Sequence, residues 1–89
     1  MKIHKLKSHP VYFQALVTNR KRFEVRKNDQ DFKLGDLLHI QEYFPEKKEY
    51  SGRSCLVRVD YILKGNKDNI IPIPEDYVIV IMSVSKVAY

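Results

Sequence analysis

The chain has 89 residues, which is enough for one domain (residues 1–89) and too few for two. Its hydrophobic content of 44% argues against intrinsic disorder, and its single cysteine, Cys55, excludes an intramolecular disulfide, as is usual in a reducing cytoplasm. No apolar run approaches the ~20 residues of a membrane-spanning helix or resembles a signal peptide, so we expect a cytoplasmic protein with no membrane partner.

The N-terminal part of the chain predicts one strand and one helix. Residues 2–6 alternate polar and apolar side chains, as an edge strand does. Ser8 is a suitable N-cap, and Pro10 stands near the first turn, where its missing N–H group costs no hydrogen bond. Apolar side chains then recur at helical spacing, which predicts a short amphipathic helix over residues 9–18 that ends at Asn19.

The remainder of the chain predicts strands. Those strands cover residues 22–26, 37–44, 53–63 and 77–84. The segments between them are a polar turn at 28–31, a charged hairpin loop at 45–52 and an irregular connection at 64–74.

Two of these strands carry a burial prediction. In the strand over residues 53–63, one face carries every second side chain, namely Cys55, Val57, Val59 and Tyr61. The last strand is apolar on both faces, as a strand in the middle of a small barrel would be. We therefore predict an α+β, mostly β fold: a small antiparallel β-barrel, closed or nearly closed, with one or two short helices.

Positive charge is the compositional feature that bears most on function. Sixteen Lys and Arg residues against eleven Asp and Glu residues give a formal net charge of +5. The basic residues that cluster between positions 20 and 33 are Arg20, Lys21, Arg22, Arg26, Lys27 and Lys33. A clustered positive surface attracts phosphate groups and releases counterions on contact. This cluster favours an RNA or nucleotide partner, and a merely solubilising surface is the alternative.

The strand over residues 22–26 holds the strongest candidate site. Glu24 and Arg26 project from the same strand face, about 7 Å apart along the chain. If another element covers that face, the carboxylate can accept from a base N–H while the guanidinium donates to phosphate or carbonyl oxygens. Lys21, in the turn before the strand, adds a flexible cation over the same cleft. The alternative is an outward surface whose charges pair with each other and with water.

Two sequence runs carry a resemblance to a known family. They are Arg-Lys-Arg-Phe-Glu-Val-Arg-Lys-Asn-Asp at 20–29 and Asp-Phe-Lys-Leu-Gly-Asp-Leu-Leu at 31–38. Residues 2–16, Glu42-Tyr43 and the turn at 50–53 extend the pattern over nearly the whole chain. The sequence resembles the DUF3850 branch of the ASCH-domain superfamily. The resemblance implies a PUA-like barrel with a cleft between helix and barrel, a fold associated with RNA binding and RNA modification.

The resemblance also implies an enzymatic alternative. One small branch of the superfamily hydrolyses the acetyl amide of N4-acetylcytidine with a lysine, a threonine and a glutamate. Its lysine corresponds to Lys21 and its strand-end arginine to Arg26, but Glu24 stands at its threonine position. Its glutamate lies in a longer insertion, where this chain offers only Glu75 in a loop. An enzyme of another kind would use Lys21 and Glu24 as base and partner.

Histidine, cysteine and tyrosine supply the remaining candidates. The three histidines are dispersed and Cys55 has no partner at a metal-ligand spacing, so we predict no metal and no cofactor. Tyr43 and Tyr50 flank the charged hairpin loop and are the tyrosines that we favour for stacking on a base.

The sequence thus predicts a module that binds RNA or a nucleotide in a basic cleft lined by Lys21, Glu24 and Arg26. The residues predicted to form its phosphate-contacting rim are Arg20, Arg22, Lys27 and Arg53. The alternatives are a small amidohydrolase or nucleoside-processing enzyme, and a protein-interaction domain.

Overall fold

The structure, a computed structural model, describes residues 1–66, 68, 70 and 72–88. Its elements are β1 (Ile3–Ser8), α1 (Pro10–Val17), β2 (Phe23–Lys27), β3 (Leu37–Phe44), β4 (Glu49–Asn66) and β5 (Ile73–Ala88). The five strands form one sheet in the order β1-β3-β4-β5-β2. The prediction of a mostly β domain with a short helix is confirmed.

The sheet is mixed and open, so the predicted antiparallel barrel is wrong in both respects. β1 pairs with β3 in parallel, from Ile3 beside Leu37 to Ser8 beside Glu42, whereas the other neighbours are antiparallel. The chain passes through α1 and β2 between these two strands, and a crossover of that length allows parallel neighbours. β1 and β2 are the two edges, and no backbone pairing joins them within the described residues.

Helix α1 confirms the predicted span and one of its two start signals. Pro10 occupies the first turn, but the N-cap is His9, whose backbone is extended and whose side chain makes no capping bond. Ser8, the predicted cap, instead ends β1, and its hydroxyl donates to the His9 carbonyl oxygen at 3.4 Å. Asn19 follows the helix in the left-handed region (φ 62°), a conformation that commonly terminates helices.

The core lies between one face of the sheet and α1. Its buried members are Leu6, Phe13, Leu16, Phe32, Leu38, Ile40, Cys55, Val57, Val59, Val78, Val80 and Met82. In β2 the usual alternation is reversed: Phe23 and Val25 are 45% and 51% exposed, whereas Glu24 between them is 6% exposed. The charged face of β2 therefore points inward, and its apolar face is on the outside.

Strand β4 is longer than predicted and contains a bulge. It begins at Glu49, inside the predicted hairpin loop, and runs on to Asn66. The predicted buried face holds from Cys55 to Val59, but Tyr61 is 59% exposed. The register against β5 shifts between Val59 and Tyr61, and the extra residue turns the following side chains to the opposite face.

Strand β5 is buried on one face only, so the prediction of burial on both faces is wrong. Val78, Val80 and Met82 are buried, whereas Ile81 is 41% exposed. β5 lies between β4 and β2 within the sheet, yet its outer face carries no covering layer in the described part of the chain. Because β5 begins at Ile73, the predicted connection at 64–74 shortens, and its residues 67, 69 and 71 lie outside the described residues.

A buried polar pair ties the start of β1 to the start of β3. His4 Nε2 lies 2.8 Å from Asp36 Oδ2, and the backbone amides of Lys2 and Lys33 each donate to the same carboxylate at 3.1 Å. The hydrogen bond with His4, supported by the two amides, holds the pKa of Asp36 below its ordinary value. Asp36 is therefore a carboxylate that the fold stabilises in its charged form.

We expect Asp36 to make stability depend on pH. A carboxyl whose folded pKa is lowered contributes stability above its unfolded pKa of about 3.9, and this contribution is lost as the pH falls through the folded value. Asp36→Asn should lower the free energy of unfolding by about 1–3 kcal/mol at pH 7, because it weakens three hydrogen bonds to a buried carboxylate. It should also flatten the loss of stability below about pH 5.

Urea unfolding between pH 2 and 7 measures both effects. Asp31→Asn is the matched control, because the Asp31 side chain is 70% exposed and pairs with an equally exposed Lys33. An Asp36→Asn protein with the acid profile of the wild type would contradict this assignment.

Candidate functional site

A cleft of about 650 Å³ opens between the end of β1, helix α1 and edge strand β2. It occupies the seam that the sheet leaves open between its two edge strands. The residues of β2 that contribute to its lining run from Phe23 to Arg26, and α1 contributes Tyr12 and Ala15. The cleft thus lies between the helix and the sheet.

Glu24 is the centre of the charged cluster in this cleft. Its backbone pairs with Val80, and its side chain is 7% exposed. Glu24 Oε1 accepts from Lys21 Nζ at 2.6 Å, and Glu24 Oε2 accepts from Arg26 Nε at 3.0 Å. A buried carboxylate is costly to desolvate unless cations and hydrogen bonds compensate it, and here both oxygens are engaged. The outward-surface alternative therefore does not describe Glu24.

The loop after α1 places Lys21 over the cleft. Its backbone amide donates to the Ala15 carbonyl oxygen at 3.0 Å, which folds the loop back on the helix. Lys21 Nζ lies 5.7 Å from the Tyr12 ring centroid and 5.3 Å from the Phe23 ring centroid. An ammonium within about 6 Å of an aromatic face is attracted by the ring. Two rings and a carboxylate therefore fix the position of this cation.

Arg26 bridges the open seam of the sheet. Its Nη2 donates to the Lys7 carbonyl oxygen of β1 at 2.6 Å, while its Nε donates to Glu24 of its own strand. The planar guanidinium has five N–H donors in a fixed arrangement, which suits it to such simultaneous contacts. One side chain thus links the two edges that the backbone leaves unpaired.

The cleft carries an excess of positive charge. Among the described residues that line it, Lys7, Arg20, Lys21 and Arg26 are the cations and Glu24 is the one carboxylate, which is a formal excess of three charges with His9 neutral. The Tyr12 side chain, with the residue 56% exposed, provides an aromatic wall. A positive cleft with an accessible ring suits an anionic ligand that also has a flat π-face.

The four residues predicted to form the phosphate-contacting rim do not lie together in the structure. Arg20 lines the cleft, whereas Arg22 and Lys27 are exposed and lie outside its lining. Arg53, on β4, is also outside the lining and contacts α1 and β3 instead. Only one of the four predicted rim residues therefore faces this cleft.

Sequence reasoning missed a third buried carboxylate, Glu42, which joins those of Glu24 and Asp36. Glu42 is 5% exposed on β3, and its Oε1 lies 3.8 Å from Arg53 Nη1. The Arg53 guanidinium carbon also lies 5.1 Å from the Phe13 ring centroid. The period-two pattern of β3 puts Glu42 on the same face as Ile40, and that signal was present in the sequence.

Tyr43 and Tyr50, the predicted stacking pair, lie beyond the cleft. They are register partners on β3 and β4, with ring centroids 5.0 Å apart in an edge-to-face arrangement. Neither lines the 650 Å³ cleft. Tyr43 instead lines a second cavity of about 300 Å³, which shares a wall with the first.

The grouping of metal-ligand side chains and the environment of the Cys55 thiol are two further features of the described residues. No three His, Cys, Asp or Glu side chains there are grouped so that they would hold a metal ion. Burial raises the pKa of the Cys55 thiol, which disfavours its reactive thiolate form. None of the helices in the described chain has the length and apolar character needed to cross a membrane.

Comparison with known proteins shows the family to which the sequence belongs. The sequence matches the family described as "Domain of unknown function (DUF3850)" over residues 3–82. The protein belongs to the DUF3850 family. The matched residues of this DUF3850 chain include the whole cleft and the buried carboxylates of Glu24, Asp36 and Glu42.

A curated relative comes from a bacteriophage. It is the "Uncharacterized 12.9 kDa protein in GpA 3'region" of Escherichia phage P2, which is 34% identical over 58 residues. Those residues cover 65% of this chain and 51% of the phage protein, so the match spans about half the length of that relative.

Proposed function

We propose that this DUF3850 protein binds RNA or a nucleotide in the cleft between α1 and β2. The observation that carries the proposal is the burial of Glu24 between Lys21 and Arg26 in a cleft that has three excess positive charges. A protein does not need such a cluster for packing alone, because an apolar set of similar volume is often at least as stable.

The chemistry of the cleft suggests how such a ligand would be held. Arg20 supplies a charge for a phosphate, and the exposed ring of Tyr12 offers a stacking surface for a base. Arg26 donates from Nε to Glu24 and from Nη2 to Lys7, and its remaining N–H groups can donate to a carbonyl oxygen on a base edge. The ligand would therefore be bound by charge at one end and by hydrogen bonds at the other.

The proposal includes membership of the ASCH superfamily and a PUA-like relationship. Its support is the placement of one short helix against a small sheet, with a basic cleft between the helix and an edge strand. The motif residues Lys21 and Arg26, which carried the sequence resemblance, both lie in that cleft.

The contact between Lys21 and Glu24 is the observation that favours an enzymatic alternative. Two features argue against it. Both oxygens of Glu24 already accept from cations, which leaves it poorly placed to take a proton from a substrate. Glu75 is exposed on β5 and is not in the cleft lining, so it does not supply the missing carboxylate.

A fluorescence titration at two salt concentrations tests the proposal. The probes are a mixed pool of short single-stranded RNAs and free nucleotides, with chromatography of the products. We expect salt-sensitive binding without turnover, and Arg20→Ala should weaken binding of the RNA pool about tenfold and reduce the salt slope by about one.

The matched control is Arg58→Ala, which removes the same charge from the exposed side chain of Arg58 on β4, outside the cleft. Equal losses in the two variants would assign binding to net charge rather than to the cleft. Product formation would establish the enzyme in place of the binding module. The absence of binding to every probe would leave the protein-interaction alternative.

A further inference from the structure

We infer that the ligand is a single-stranded RNA segment of at least two nucleotides, which crosses the end of β1 from the cleft to the Tyr43–Tyr50 pair. The inference rests on the proposed function and deepens it, because it distinguishes a strand from a free nucleotide. Its basis is the relation between the two cavities.

The two cavities are neighbours on either side of one chain segment. The cleft of about 650 Å³ and the second cavity of about 300 Å³ share Lys7, Ser8 and His9 in their linings. This segment is the end of β1 and the cap of α1. A ligand that fills the cleft and continues past this segment enters the second cavity.

Lys7, in the segment that the two cavities share, makes contacts on both sides of that segment. Its carbonyl oxygen accepts from Arg26 on the cleft side, at 2.6 Å. Its ammonium lies 4.4 Å from the Tyr43 ring centroid and 6.0 Å from that of Tyr50. A cation between two binding cavities is placed for the phosphate that joins two nucleotides, because that phosphate carries a negative charge.

The second cavity has aromatic side chains in or beside its wall. Tyr43 lines the second cavity, and Tyr50, 49% exposed, packs edge-to-face against it. Accessible aromatic rings beside a basic groove are the usual means of holding the bases of a single strand without sequence preference. A mononucleotide that fills only the cleft does not extend to these rings, whereas a longer strand that crosses residues 7–9 reaches them.

The test compares a single-stranded RNA trimer with its 5′-mononucleotides on the same protein. For the wild type we expect the trimer to bind at least tenfold more tightly, and Tyr50→Ala and Tyr43→Ala should each lower trimer affinity about tenfold while mononucleotide affinity stays the same. Tyr61→Ala is the matched control, because Tyr61 is 59% exposed on β4 and lines neither cavity.

Three outcomes overturn the inference. If trimer and mononucleotide bind wild type equally, the cleft takes single nucleotides and the proposed function stands alone. If Tyr50→Ala and Tyr43→Ala, each checked for a native thermal transition, change trimer affinity no more than Tyr61→Ala does, the tyrosine pair is not a subsite. If neither probe binds, the proposed function falls together with this inference.

Discussion

Glu24→Gln is expected to lower the free energy of unfolding by about 3 kcal/mol. The substitution keeps the shape of the side chain but removes the charge that compensates Lys21 and Arg26. It also places amide N–H donors beside cations that are themselves donors. The effect is at the lower end of the range for breaking a buried ion pair, because the Arg26 side chain is 30% exposed and water can partly replace its partner.

The matched control for this substitution is Asp31→Asn. It also exchanges a carboxylate for an amide, but Asp31 and its partner Lys33 are each 70% exposed, at 3.4 Å. An exposed pair of this kind contributes little, so we expect a change below about 0.5 kcal/mol. Urea unfolding at pH 7 measures both variants. Equal values for them would mean that the Glu24 cluster is not structurally coupled to the fold.

Phe13→Ala is expected to have the largest effect on stability, about 3–5 kcal/mol. Phe13 is fully buried and anchors α1 against the sheet, and its ring lies under the Arg53 guanidinium. The free energy of unfolding of a small domain is only about 5–15 kcal/mol in total, so this substitution would remove much of it. Because α1 forms one wall of the cleft, ligand binding should weaken together with folding.

Val11→Ala is the control on the same helix, since Val11 is 77% exposed. It removes methyl groups without leaving a buried cavity, so we expect a change within about 0.5 kcal/mol. Thermal unfolding of the three proteins makes the comparison. A Phe13→Ala protein as stable as Val11→Ala would show that α1 is not held by this side chain.

The elements of the fold were largely predictable because their signals are local. Helix α1 followed from apolar spacing and from Pro10, and Asn19 marked its end. The inner face of β4 followed from period-two alternation up to Val59. The bulge after Val59 was not predictable in this way, because a register shift depends on the partner strand rather than on local sequence.

The open, mixed sheet could not be read from the strands alone. Whether β1 pairs with β3 or with β2 is decided by packing over long sequence distances, and short strands carry no signal for it. The same limit applies to β5, whose apolar outer face looks in sequence like a second buried face.

In the candidate site, too, the contacts between residues close in sequence were predictable and the contacts between distant residues were not. Lys21, Glu24 and Arg26 were predicted to act together from local spacing, and the structure brings them within hydrogen-bond distance. Arg53 was placed on the rim because of its charge, but it contacts Glu42, which is brought to it by β3–β4 pairing. Long-range partners of this kind are set by the fold, so sequence spacing did not identify them.

The most direct test of the central claim is to locate the bound RNA by NMR. Amide resonances of the ¹⁵N-labelled protein are followed while a single-stranded RNA trimer is added. We predict saturable shifts in the cleft segments, from Lys7 to Tyr12 and from Arg20 to Arg26, with no shift for the exposed outer face of β4 at Arg58 and Tyr61. Shifts centred on that outer face, or none at saturating RNA, would contradict the account.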